Sequence, residues 1–175
     1  MAQEHAVTLV SAGWFDQAMF GYYPYAALAV LAIGSVLRFD REPYTWRSGS
    51  SQLLRRKQLM VGSVLFHVGV LVIFGGHFVG LLTPIQVFDA VGISHGAKQV
   101  LAIVAGGVAG AIAILGALIL LHRRLFDARI RATSRFGDTA ILALLTAQLA
   151  LGLSTIPLSA QHLDGSEMVK FMSWA

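Results

Sequence analysis

The sequence contains no cysteine. Disulfides, thiolate metal sites and cysteine-ligated iron–sulfur clusters are therefore excluded within this chain. Charge is scarce as well. Asp, Glu, Lys and Arg make up 13% of the 175 residues, about half the share of an ordinary soluble domain. What fills the space is apolar, 56% of the chain, with a mean hydropathy of +0.69. The length suits one domain, and the long charge-free runs direct it to lipid rather than water. No Lys or Arg precedes the first apolar stretch, and Asp16 interrupts the approach to it. The start thus lacks the pattern of a cleaved signal peptide and reads as an uncleaved first span with a short polar lead.

Four uncharged stretches lie between Asp16 and Arg38, Lys57 and Asp89, Lys98 and His122, and Asp138 and Pro157. Each is of the order needed to cross a bilayer, about 20 residues. The apolar runs are continuous rather than alternating, which predicts an all-α integral membrane bundle with four transmembrane helices, residues 1–175 forming a single domain. The second helix is expected to end near Thr83–Pro84 and the fourth to start near Gly137–Asp138. Basic residues gather in two loops. One holds Arg38, Arg41, Arg47, Arg55, Arg56 and Lys57, the other Arg123, Arg124, Arg129, Arg131 and Arg135; only Lys98 and Lys170 lie elsewhere. Both loops are then cytoplasmic and both termini outside. This placement explains the net charge of +4 without nucleic acid, and is compatible with a docking surface for a cytoplasmic partner. In the third stretch, Gly106 and Gly110 with Ala102 and Ala113 suit close packing against a sister helix, or alternatively the approach of a flat cofactor.

Two ionisable residues fall inside the spans, His67 and His77, both in the second. Such groups are costly in lipid and usually functional. No acidic residue accompanies them, which weakens a transporter or proton-pathway reading. Ten residues of helix cover about 15 Å and turn the two side chains roughly 80° apart. His67 falls in the cytoplasmic half and His77 in the outer half. Zinc or copper would need three or four ligands at one point. Haem needs only one or two axial ligands per iron, so one histidine per leaflet suits two stacked haems. Gly69, Gly75, Gly76 and Gly80 would let a porphyrin lie close to the helix. The alternative is a pair of histidines hydrogen-bonded to neighbouring helices. His5, His95, His122 and His162 read as solvated surface residues. Arg123 and Arg124 could pair with haem propionates. Lys98, alone at the outer start of the third span, reads as an interfacial anchor or as a donor to a quinone carbonyl.

Several stretches then carry a resemblance: Tyr23–Pro24–Tyr25, Tyr44–Thr45–Trp46–Arg47, Leu65–Phe66–His67, Gly76–His77–Phe78, His122–Arg123–Arg124–Leu125–Phe126 and Ser159–Ala160–Gln161–His162. From about Phe20 to the last residue, the chain resembles the gamma subunit of membrane-bound respiratory nitrate reductase, a cytochrome b with two haems. The resemblance implies that His67 ligates the haem nearer the cytoplasm and His77 the outer haem, with Arg124 near the inner one. It implies quinol oxidation beside Gly76 and Lys98, with proton release outside. Electrons would pass through both b haems to an iron–sulfur beta subunit and on to a molybdenum alpha subunit that reduces nitrate to nitrite. The expected location is a bacterial inner membrane, multi-pass, with a periplasmic N-terminus. The family has five spans, the fifth carrying the other axial histidine of each haem. The sequence is expected to stop short of it, leaving one ligand per iron. The other readings are the cytochrome b anchor of a different quinone-linked dehydrogenase and a haem-deficient, non-catalytic fragment.

Overall fold

A computed structural model describes residues 13–42, 44 and 53–161 of the chain. The described residues are helical, with turns between, and contain no strand. They belong to two compact units, Met1–Ser48 and Gly49–Ala175. Among the described residues, four helices are long and apolar enough to cross a membrane: Trp14–Arg41, Arg56–Leu82, His95–Phe126 and Phe136–Ser159. They are the expected four spans. At 1.5 Å per residue the second, with 27 residues, is about 40 Å long and exceeds a hydrocarbon core of about 30 Å.

In the first unit a short α-helical turn, Trp14–Asp16, opens the span, and a π-helical stretch, Gln17–Tyr22, leads from it into the α-helix Tyr23–Arg41. The cause is local. Pro24 lacks an N–H and its ring crowds the preceding turn. The wider turn, closed by the Tyr23 N–H donating to the Ala18 carbonyl, accommodates it.

In the second unit each helix stops where the chain can satisfy its freed backbone groups. The second span ends at Leu82, and Thr83 turns extended as the residue before Pro84 must. A short helix, Ile85–Ala90, follows, then a turn through Gly92 at φ +78°. The third span starts at His95, three residues before Lys98, because the Ser94 hydroxyl accepts the Ala97 N–H at 3.2 Å. This is an N-cap. The third span ends at Phe126, and Asp127 caps the next short helix, Ala128–Thr133. The fourth starts at Phe136, where the Arg135 N–H donates to the Asp138 carboxylate at 3.3 Å. Its helix runs to Ser154, with a short further turn at Ile156–Ser159.

The second and third spans share the most extensive contact, and small residues make it. Ala109, Gly110, Ala113, Gly116 and Ala117 are buried on the third span. Gly62 and Gly69 are buried on the second. A Cβ on Gly69 would sit 2.6 Å from the Ala109 carbonyl oxygen. One on Gly116 would sit 2.3 Å from the Phe66 backbone nitrogen. Without a hydrophobic drive in lipid, such backbone approach is what holds helices together. Gly110 instead faces Leu153 of the fourth span. The packing reading of the third span thus holds for Gly110 and Ala113. A Cβ on Gly106 meets nothing within 4 Å, and Ala102 is exposed.

Candidate functional site

The two intramembrane histidines make the same local bond. The Nδ1–H of His67 donates to the Ser63 carbonyl at 2.7 Å, and that of His77 to the Ile73 carbonyl at 2.8 Å. A carbonyl can only accept, so in each neutral ring Nδ1 carries the proton and Nε2 keeps its lone pair. The Ser63 hydroxyl lies 3.2 Å from the same His67 nitrogen. The Phe66 ring stands edge-on to His67 at 5.4 Å between centroids. Fixing one ring nitrogen through a backbone carbonyl is how a metal-ligating imidazole is oriented. Both side chains are exposed on the helix surface. Among the described residues the bond partner is the helix's own preceding turn rather than a neighbouring helix.

Gly62 and Gly69 mark the line along which the second span meets the third. By helical rotation His77 lies roughly 70° from that line and His67 roughly 150°, on the same side. Neither ring points into the tight seam. The glycines divide between two tasks. Gly69 is filled by Ala109 and Ala113, so it is a packing glycine, not one that leaves space beside a cofactor. Around Gly75, Gly76 and Gly80 a Cβ meets nothing within 4 Å. The antiparallel register, Gly69 on Ala109 and Gly62 on Leu120, sets His77 at about the depth of Ile103–Ala105, close to open Gly106.

At the end away from the basic loops, Lys98 does not stand alone. It is only 7% exposed. Its ammonium lies 3.5 Å from the centroid of the Phe88 ring, a cation–π contact. Its neighbours Asp89 and His95, 3.3 Å apart, were not expected from sequence as part of any site. His95 is the first residue of a helix rather than a loop residue. The available signal was the His95–Lys98 spacing, which places both on one face of a helix. Gln99, also buried, donates to the Ser159 carbonyl at 2.9 Å and ties the third span to the turn after the fourth. His5 and His162 lie outside the described residues.

At the basic end the arginines have structural partners. Arg123, 2% exposed, donates to the Leu54 carbonyl at 2.7 Å. Its expected pairing with a cofactor carboxylate is therefore corrected: the side chain is turned inward to close a loop. Arg124 donates to the Ser134 hydroxyl at 3.1 Å and lies 3.7 Å from the Asp138 carboxylate, with a fifth of its side chain exposed. His122 is exposed beside Phe126. Arg55, left-handed at φ 45°, reaches the Asp127 carboxylate at 2.5 Å. A left-handed non-glycine residue costs about 1–2 kcal/mol, and this ion pair helps to hold it.

Asp127 also accepts the N–H groups of Arg129 at 3.0 Å and Ile130 at 3.3 Å. Desolvation alone would raise its pKa. The Ile130 amide, the Arg55 guanidinium and the Arg129 amide outweigh that and hold the carboxyl below the ordinary carboxylate range. Because the folded value is the depressed one, the stabilisation is present at neutral pH and is lost as pH falls through it. The thermal midpoint of detergent-solubilised protein should therefore drop below about pH 4. Asp127→Asn should be less stable at neutral pH and show a shallower acid decline. An identical decline in the variant would exclude Asp127 as its source.

Among the described residues no three His, Cys, Asp or Glu side chains gather as a metal-ion cluster. The fold and site define a helical, multi-span membrane protein with two single imidazoles, each presenting Nε2, at two depths of one span. Comparison with known proteins narrows this class. The nitrate reductase gamma subunit family model matches residues 16–175. Respiratory nitrate reductase 1 gamma chain of Escherichia coli (strain K12) is 53% identical over 156 residues, 89% of this chain and 69% of that protein. Respiratory nitrate reductase 2 gamma chain of the same organism is 47% identical over the same shares. Nitrate reductase gamma chain of Bacillus subtilis (strain 168) is 41% identical over 79% of this chain and 62% of its own length. The chain belongs to the nitrate reductase gamma subunit family, and is a membrane-embedded subunit of a nitrate reductase.

Proposed function

We propose that the chain is the cytochrome b subunit of a respiratory nitrate reductase, passing electrons from quinol towards the subunits that reduce nitrate to nitrite. The observation that carries this reading is the pair of Nδ1–H bonds to the Ser63 and Ile73 carbonyls. They leave two Nε2 lone pairs facing outward at different depths of one span. His67 would hold one b-type haem in the half nearer the basic loops, and His77 a second in the other half. Haem, when bound, supplies reversible one-electron carriage. The chain's own residues fix the imidazole tautomers and, at Gly75, Gly76 and Gly80, leave room beside the helix. Arg124 offers charge at the basic end for a propionate, which would share it with Ser134 and Asp138.

The basic loops face the cytoplasm of a bacterial inner membrane, with the N-terminus periplasmic. The iron–sulfur beta subunit docks at the basic end and relays electrons to the molybdenum alpha subunit. Quinol binds at the opposite end beside Gly76 and Lys98. There the Lys98 ammonium, which can only donate, bonds a ring oxygen. In the assembled complex, Lys98→Gln should raise the KM for a quinol analogue about tenfold or more, the loss expected for a charged hydrogen bond worth roughly 1.5–3 kcal/mol. The haem spectrum should be unaltered. An unchanged KM would remove Lys98 from the site.

A further inference from the structure

The turn that follows the second span does more than connect it to the third. Helix Ile85–Ala90 lays Phe88 against the Lys98 ammonium, and the next residue, Asp89, brings its carboxylate Oδ1 to 3.3 Å from His95 Nε2. His95 precedes Lys98 by one helical turn on the same face. Asp89 is also near enough for its charge to act on Lys98. Exposure is graded along this set. Lys98 is 7% exposed, whereas the side chains of His95 and Asp89 are 43% and 56% exposed. One line of titratable groups thus leads from a buried ammonium to water. A solvent-exposed hydrogen bond of this kind adds little stability, so stability alone gives the arrangement no purpose.

We infer that Asp89 and His95 form the proton exit of the quinol site, taking the protons released beside Lys98 and passing them to water at the end of the molecule away from the basic loops. The inference rests on the quinol reading above. Oxidation of one quinol breaks two O–H bonds and yields the quinone, two protons and two electrons. The electrons leave singly to a b-type haem, and each proton needs a base. Lys98 as an ammonium has no lone pair to offer. The next groups outward are the Asp89 carboxylate and the His95 imidazole. With Nε2–H donating to Asp89, the Nδ1 of His95 is the accepting atom. The carboxylate steadies the imidazolium that forms, and the ring then releases its proton to water and is ready again. An imidazole, alone among unperturbed side chains, changes charge between pH 5 and 8.

Among the described residues, the charged groups facing His95 are Asp89 across the turn and Lys98 along its own helix. The last turn of the second span, Val79–Leu82, and the short helix Ile156–Ser159 carry no titratable side chain.

The test is stopped-flow reduction of the assembled complex by a quinol analogue between pH 5 and 8, beside equilibrium binding of a quinone-analogue inhibitor. In the unsubstituted protein the rate should rise with pH, as it does when a base must accept the proton. His95→Gln should slow it about 100-fold, typical of a lost acid–base group, and abolish that rise. Added imidazole should restore part of the rate. Asp89→Asn should slow it less. Inhibitor affinity and the haem spectrum should stay within about twofold in both variants, as they would not if the pair bound the ring itself. An unchanged rate profile in both variants, with an active unsubstituted complex, overturns the proton exit alone. Loss of inhibitor binding overturns it too, by making the pair a binding element. A complex that contains haem but is never reduced by quinol overturns the quinol reading, and the exit with it.

Discussion

Replacement of Gly116 by alanine is expected to force the second and third spans apart. The added methyl would lie 2.3 Å from the Phe66 nitrogen, 2.7 Å from the Gly62 carbonyl oxygen and 2.8 Å from the Phe66 Cα. All three are backbone atoms, so no rotamer change relieves the clash and a whole helix must shift. Overpacking of this kind costs about 1–3 kcal/mol or more. The gain in helix propensity from glycine to alanine offsets at most about 1 kcal/mol of it. Thermal midpoints of the detergent-solubilised protein should fall by several degrees for Gly116→Ala, and similarly for Gly69→Ala. Gly106→Ala, whose methyl meets nothing within 4 Å, should leave the midpoint unchanged or slightly raised. Gly110→Ala should fall between them, because the atom it meets at 2.8 Å belongs to the mobile end of Leu153. If Gly116→Ala and Gly106→Ala melt together, the seam is not where the two spans are held.

Substitution of either intramembrane histidine should remove one haem and leave the other. Each ring owes its orientation to a carbonyl four residues earlier in its own helix, so the two proposed ligands are prepared independently. His77→Ala should halve the haem content of the complex and stop reduction by quinol, because the haem nearest Lys98 is gone. His67→Ala should also halve it, yet leave the quinol end able to bind an inhibitor. Ser63→Ala, which removes the hydroxyl 3.2 Å from His67 Nδ1 but keeps the carbonyl bond, should retain both haems. Full haem content in His77→Ala and in His67→Ala would show that other residues ligate the iron.

The spans were legible because lipid demands long uncharged runs, and the sequence has four of them. Their ends were legible where a local rule acts, as at Thr83–Pro84. The third span began earlier than its apolar run, since Ser94 caps a turn that contains His95 and Lys98, residues that hydropathy counts against a span. The histidines stood out as candidates from cost alone: few uses repay an imidazole in lipid. The division among glycines was not. Gly69 and Gly76 look alike in sequence, and only the register of the third span decides which is filled by a neighbouring backbone and which is left open. Arg123 and Arg124 posed the same difficulty, adjacent in the chain but about 100° apart on the helix, so that one turns in to Leu54 and the other towards Ser134 and Asp138. The surroundings of Lys98 depend on a six-residue helix too short to leave a periodic signal.

Iron porphyrin measured per chain in the intact nitrate reductase, by extraction as the pyridine complex and by reduced-minus-oxidised absorbance, tests the proposed role most directly. Two b-type haems for each copy are the expected result, both lost when His67 and His77 are replaced together. A complex with no b-type absorbance, or one that keeps its haem without either imidazole, would contradict the assignment of these two rings.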